Sequence, residues 1–239
     1  MDRRRRIVKT VKFGERTYIG DPINVARIFN EKEVDELCIL DIDATKDGRE
    51  PDFEFIGKLA SECFMPLTYG GGITTLEQAE TLMRLGVEKF VVGSASGDQL
   101  LLRSLADALG SQAVAACVDV EDGQPAPIVK THNGSKVVGE DVVERAVRLQ
   151  EAGVGEIVLQ SIDRDGLRSG YDLELVSLVS HAVGVPVVAL GGAGGFEHLP
   201  PAIEAGASAV ASGSAFIFVG RLRGVLITYP NEQQLRSLP

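Results

Sequence analysis

Three sets of residues in this 239-residue chain have types and spacings suited to chemistry. The first is acidic. Asp41 and Asp119 each follow an apolar run, and Asp163 and Asp165 lie in Ser161-Ile162-Asp163-Arg164-Asp165-Gly166. A carboxylate at the end of a buried strand is partly withdrawn from water, which raises its proton affinity and suits it to general acid–base work. Asp119 is the candidate catalytic group, with Asp41, Ser161 and Asp165 in support. The alternative for Asp41 and Asp163 is that they cap loops. The second set consists of small-residue turns: Gly70-Gly71-Gly72, Gly93-Ser94, Gly191-Gly192-Ala193-Gly194 and Gly213-Ser214, with Gly166 closing the acidic block. Turns without side chains let backbone N–H groups approach an anion closely, so Gly71, Gly72, Gly93, Ser94, Gly166, Gly192, Gly194, Gly213 and Ser214 are candidate phosphate ligands. The third set, Glu36, Lys89 and Glu156, puts a charge at the start of three apolar runs; it reads as a salt-bridged plug or as a gate. His132, His181 and His198 do not cluster, so no metal site and no Ser/His/Asp triad is expected.

The elements that must hold these groups alternate between β-rich runs and amphipathic stretches. The runs are Leu37–Ile42, Pro66–Tyr69, Lys89–Val92, Ala113–Val118, Glu156–Gln160, Val185–Leu190 and Ala207–Ala211. Helical patterns cover Asp52–Cys63, Thr75–Leu85, Gln99–Leu109, Asp141–Ala152, Asp172–Ala182 and Glu197–Ala205. Continuous apolar strands joined by helices predict a parallel sheet. A shift of 120 positions superimposes Glu36 on Glu156, Asp43 on Asp163, Asp52 on Asp172 and Pro66 on Pro186. It also superimposes Gly71-Gly72 on Gly191-Gly192 and Gly93-Ser94-Ala95 on Gly213-Ser214-Ala215. The expectation is one α/β domain over residues 1–239, a (βα)8 TIM barrel built of two half-barrels, about 1–112 and 113–239. Its C-terminal mouth would hold two facing phosphate sites and so a ligand with an anion at each end. Only seven runs are found where eight close a barrel, and the deficit lies at the start. Either Arg6–Phe13 fills the gap, or the first strand is truncated and the protein begins upstream of Met1, the favoured reading.

Composition narrows the partners. With 24 Lys and Arg against 34 Asp and Glu, the net charge is −10, which disfavours nucleic acid and anionic membranes. The basic run Arg3–Arg6 is a solvated end or a phosphate-facing loop. There is no membrane span or secretion signal, and three scattered cysteines among apolar residues read as buried thiols in a reducing compartment, hence a cytoplasmic location.

The runs Gly20-Asp21-Pro22, Leu40-Asp41-Ile42, Gly70–Ile73, Gly155-Glu156-Ile157, Ser161–Gly166, Gly170-Tyr171-Asp172 and Gly191–Gly194 resemble the cyclase subunit of imidazole glycerol phosphate synthase, the HisF family, over nearly the whole chain. The resemblance implies a lyase-type enzyme of histidine biosynthesis without a cofactor. It would use ammonia from a HisH-like glutaminase subunit docked at the barrel bottom and act on a phosphorylated small-molecule substrate. It implies Asp119 as acid/base, Lys9 and Asp41 as supporting residues, and Glu36, Lys89 and Glu156 as an ammonia gate. It also puts a second catalytic aspartate and a gate arginine before Met1, and an asparagine where Gly93 stands. The segments Val8–Phe13, Tyr18–Asn24, Phe29–Glu36 and Val225–Asn231 are more similar to a paralogous branch, linked to acetamidino modification of surface-polysaccharide (O-antigen, lipopolysaccharide) sugars. That branch would make the chain an ammonia-channelling partner of a sugar amidotransferase. The sister isomerase of the pathway is disfavoured by Ser161–Gly166 and the charged trio.

Overall fold

Aspartates open five of the eight helices, four of them in repeat-related pairs. The computed structural model describes residues 1–239. Its helices are α1 (Pro22–Glu31), α2 (Phe53–Ala60), α3 (Leu76–Arg84), α4 (Gln99–Leu109), α5 (Val142–Glu151), α6 (Leu173–Ser180), α7 (Leu199–Glu204) and α8 (Glu232–Leu235). Asp21 and Asp141 cap α1 and α5, and Asp52 and Asp172 cap α2 and α6, each carboxylate accepting an orphan N–H of the first turn. Each pair stands 120 residues apart.

Between the helices run seven parallel strands: β3 (Leu37–Leu40), β4 (Leu67–Gly70), β5 (Lys89–Val92), β6 (Val114–Glu121), β9 (Glu156–Ser161), β10 (Val187–Leu190) and β11 (Ala209–Ala211). They form one sheet in the order β11-β10-β9-β6-β5-β4-β3. The curled sheet with alternating helices is the (βα)8-barrel class. A core cluster of 48 buried residues fills the layer between sheet and helices, including Ile56, Leu59, Leu102, Leu149 and Ile157. The inward face carries a separate set: Val91, Ala115 and Val158, with Leu40, Cys117, Val188 and Leu190 packed on them. That inner set lines a lumen.

The seven expected strands are all present, though β6 runs to Glu121, beyond the expected end at Val118. The N-terminal segment does not join the ring. β1 (Ile7–Thr10) pairs antiparallel with β2 (Arg16–Gly20) in a separate hairpin, while Met1 alone bonds the outer side of β3, its amine donating to Leu40 O at 2.5 Å and its carbonyl accepting from Ile42 N at 3.1 Å. A second hairpin, β7 (Ile128–Thr131) with β8 (Lys136–Val137), follows β6, and a third, β12 (Phe218–Val219) with β13 (Gly224–Val225), follows β11. β1 and β7 are both Ile-Val-Lys-Thr. They are repeat mates displaced by one residue from the 120-residue register.

Candidate functional site

Strand alternation aims every second side chain of the ring inward. On β6 this sends Ala115, Cys117 and Asp119 into the lumen in ascending order, and on β9 Glu156, Val158 and Gln160. The lumen is part of one continuous cavity of about 1030 Å³ that reaches from Glu36 and Glu156 at the strand starts to Lys9, Asp41, Asp119, Gln160 and Asp165 at the strand ends.

Asp119 is half-buried, bordering the cavity, and accepts a hydrogen bond from Cys117 Sγ at 3.3 Å. Burial, with the negative charge of Asp165 adding to it, raises its pKa from 3.8 to about 6, against the lowering effect of the thiol. Asp41 is tied down. Its Oδ1 accepts the backbone N–H groups of Asp43 and Ala44 at 3.0 and 3.1 Å, and Arg49 lies 3.3 Å from Oδ2. It therefore shapes the loop after β3 as well as bordering the cavity. Asp165 accepts from Thr10 Oγ1 at 2.8 Å. Asp163 instead pairs with Lys12 at 3.0 Å and accepts the Asp122 N–H at 2.7 Å, contacts that hold its pKa down, the backbone bond foremost. Ser161 is buried with its hydroxyl unpartnered, and it does not border the cavity.

The glycine turns divide. Gly71, Gly72, Gly93, Ser94 and Gly213 border the cavity, whereas Gly166, Gly192, Gly194 and Ser214 do not. The backbone N–H groups of Gly72, Gly93, Ser94 and Gly213 enter no hydrogen bond within the protein. Gly71 and Gly72 have φ of 126° and 74°, and their mates Gly191 and Gly192 have 93° and 111°, so both halves turn in the conformation that glycine favours. At Gly192 a Cβ would overlap the Gly170 carbonyl, so that position needs glycine for packing alone. Around Gly93 there is open space, and across the mouth the Lys9 ammonium lies against Gly213.

The two related hairpins cross over. β1–β2 comes from the first half, yet Lys9 lies on Gly213 and Thr10 bonds Asp165, both in the second. β7–β8 comes from the second half, yet the His132 N–H donates to Ser94 Oγ at 2.9 Å in the first. Each half thus covers the other's turn.

At the opposite end of the lumen, Lys89 Nζ stands 3.1 Å from Glu36 and 2.9 Å from Glu156, and Thr68 also donates to Glu36. Burial opposes the Lys89 charge, but the two carboxylates outweigh it and raise its pKa. Between this trio and Asp119 the lumen is largely apolar, lined by Leu40, Val91, Val158, Val188 and Leu190, with Thr68 and the thiols of Cys38 and Cys117 as its polar groups. Cys38, expected to be buried, opens onto the lumen; its enclosure by protein still pushes its pKa up to about 12.

The profile of the histidine biosynthesis protein family matches residues 2–222. The chain belongs to that family. A Pseudomonas aeruginosa relative, provisionally named imidazole glycerol phosphate synthase subunit hisF2, is 50% identical over 97% of this chain and 93% of its own length. A Vibrio vulnificus relative with the provisional name hisF3 is 44% identical over 98% of this chain and 92% of its own length. The imidazole glycerol phosphate synthase subunit HisF of a Nocardioides species is 42% identical over 91% and 88%. The chain is therefore HisF-like, with the cyclase- or lyase-type role of that subunit, and no helix is long and apolar enough to cross a membrane.

Gln160 is a site residue that sequence reasoning misses. It pairs with Asp119 in the strand register, is buried, and borders the cavity. A glutamine in an apolar run carries no signal of its own. Only its alternation with Val158 and Glu156 would place it inward.

Proposed function

We propose that this chain is the cyclase subunit of a glutamine-dependent imidazole glycerol phosphate synthase. The observation that carries the reading is the largely apolar lumen leading from the Glu36–Lys89–Glu156 trio to the half-buried carboxyl of Asp119, beneath turns with unused N–H groups. Neutral ammonia crosses an apolar passage at far lower cost than ammonium, so a charged trio at the entrance and a proton-accepting group at the exit suit ammonia delivery. A glutaminase subunit docks at the barrel bottom and releases ammonia there. The substrate, a bisphosphate ribonucleotide, lies across the mouth with one phosphate at Gly71-Gly72, Gly93 and Ser94 and the other at Gly213 beside Lys9. Asp119, titrating near pH 6, shuttles protons as ammonia adds and the product divides into imidazole glycerol phosphate and an aminoimidazole carboxamide ribotide. Asp165 and Asp41 hold the loops around it.

A second reading has one specific support: two of the three relatives above carry copy numbers, hisF2 and hisF3. On that reading the barrel delivers ammonia to a sugar amidotransferase and does not cyclise. Expression in a histidine auxotroph lacking its cyclase subunit separates the two. Growth without histidine supports cyclisation. No growth, with a glutaminase that the chain still activates, supports delivery alone.

A further inference from the structure

Cys117 sits two residues before Asp119 on β6, so both side chains rise on the same inner face. Its Sγ lies 3.3 Å from Asp119 Oδ1, the one protein group hydrogen-bonded to that carboxyl. The walls around the pair are apolar: Val91 from β5, Ala115 below, and Val158 from β9. The titratable and charged groups facing it are few. Asp165 opposes ionisation from the loop after β9, Cys38 faces the thiol from β3, and Lys130, the cross-strand neighbour on β7, is engaged by Glu121 at 2.8 Å. Gln160 stands beside the carboxyl in the register with β9.

We infer that Cys117 is a positioning residue for Asp119: its thiol holds Oδ1 from below and so presents Oδ2 to the mouth, where the ligand lies. The inference deepens the proposed function and rests on Asp119 being its acid–base group. A half-buried carboxylate with one weak donor can rotate between two equivalent oxygens. A donor on the same strand breaks that equivalence and favours the ionised form, because the hydrogen bond is stronger to an anion. Desolvation and the Asp119 charge together keep the thiol protonated, so it serves as donor throughout the neutral range. Serine preserves the donor and alanine removes it.

The test is a carbon-13 carboxyl titration of Asp119 in the wild type, Cys117→Ala and Cys117→Ser, with the pH–rate profile of ammonia-dependent turnover measured alongside. In Cys117→Ala the Asp119 midpoint rises by about 0.5–1 pH unit, as expected for loss of one hydrogen bond. Cys117→Ser returns it to the wild-type value or below, and the acid limb of the rate profile moves with it. An unchanged midpoint in Cys117→Ala overturns the inference, as does a serine variant that behaves like alanine. The titration needs no substrate, so a protein that never cyclises still reveals whether Cys117 holds the carboxyl, and the absent turnover then counts only against the proposed function. A further measurement leaves Cys117 in place. Asp119→Asn removes the charge beside the thiol and accelerates alkylation of Cys117 by iodoacetamide severalfold at pH 8, read on the Cys117 peptide separately from Cys38. Equal rates in the two proteins would show that the groups are uncoupled.

Discussion

Replacing Asp119 with asparagine should stabilise the protein while silencing it, and the structure gives both size and pH dependence. The carboxyl has a pKa of about 6 in the fold against 3.8 in its ordinary state, raised chiefly by burial. Between these values the folded chain keeps a proton that the unfolded chain releases, so stability falls as pH rises from about 4 to about 6 and stays lower above that. A shift of about two units corresponds to about 3 kcal/mol at pH 7.5 and, by the same linkage, to about 1 kcal/mol at pH 4.5. Water entering the cavity screens the charge, so these are upper values. Asparagine keeps the shape and the acceptor for Cys117 but never ionises. Urea unfolding of the two proteins should therefore give an advantage to Asp119→Asn of about 1–3 kcal/mol at pH 7.5, shrinking to about a third of that at pH 4.5. Ammonia-dependent turnover should fall by a factor on the order of 100 or more. A variant less stable than wild type at pH 7.5, or an advantage that ignores pH, would refute the idea that burial of this charge costs free energy.

Other substitutions probe the remaining parts. Lys89→Met leaves Glu36 and Glu156 facing each other. Because the trio is partly solvated, unfolding free energy drops by only about 1 kcal/mol. Turnover with added ammonium salt persists while glutamine-supported turnover with the glutaminase falls at least about tenfold, and equal loss of both would remove the gate role. Gly192→Asp places a Cβ on the Gly170 carbonyl at φ 111°, so it lowers stability by roughly 2 kcal/mol or more; an unchanged melting temperature contradicts the packing. Thr10→Val breaks the bond to Asp165 and loosens β1–β2, raising KM several-fold with little change in thermal stability; an unchanged KM would show that the hairpin does not help to hold the ligand.

Seven strands, six helices and the paired glycine turns are legible without coordinates, and three strand pairs and the turns recur at a spacing of 120 residues. Two parts stay hidden, the hairpins and α1. The twin Ile-Val-Lys-Thr hairpins are offset by one residue, so a fixed shift does not align them. α1 announces itself in Asp21-Pro22, a cap followed by proline at the first helical position, but the stretch before Leu37 is short and an expected first strand competes for the same residues. Within the site, chemically reactive residue types stand out by themselves, whereas Cys117 and Gln160 acquire meaning only from the inward face they share with Asp119. The motif around Asp163 suggests a place at the mouth. Its pair with Lys12 makes it the anchor of a hairpin instead.

The exchanged hairpins make each half-barrel the other's lid. On the proposed function, a ligand with an anion at each end would touch chain from both halves at each turn, Lys9 beside Gly213 and His132 beside Ser94. A change at Lys9 or His132 in one half would then be felt at the turn of the other.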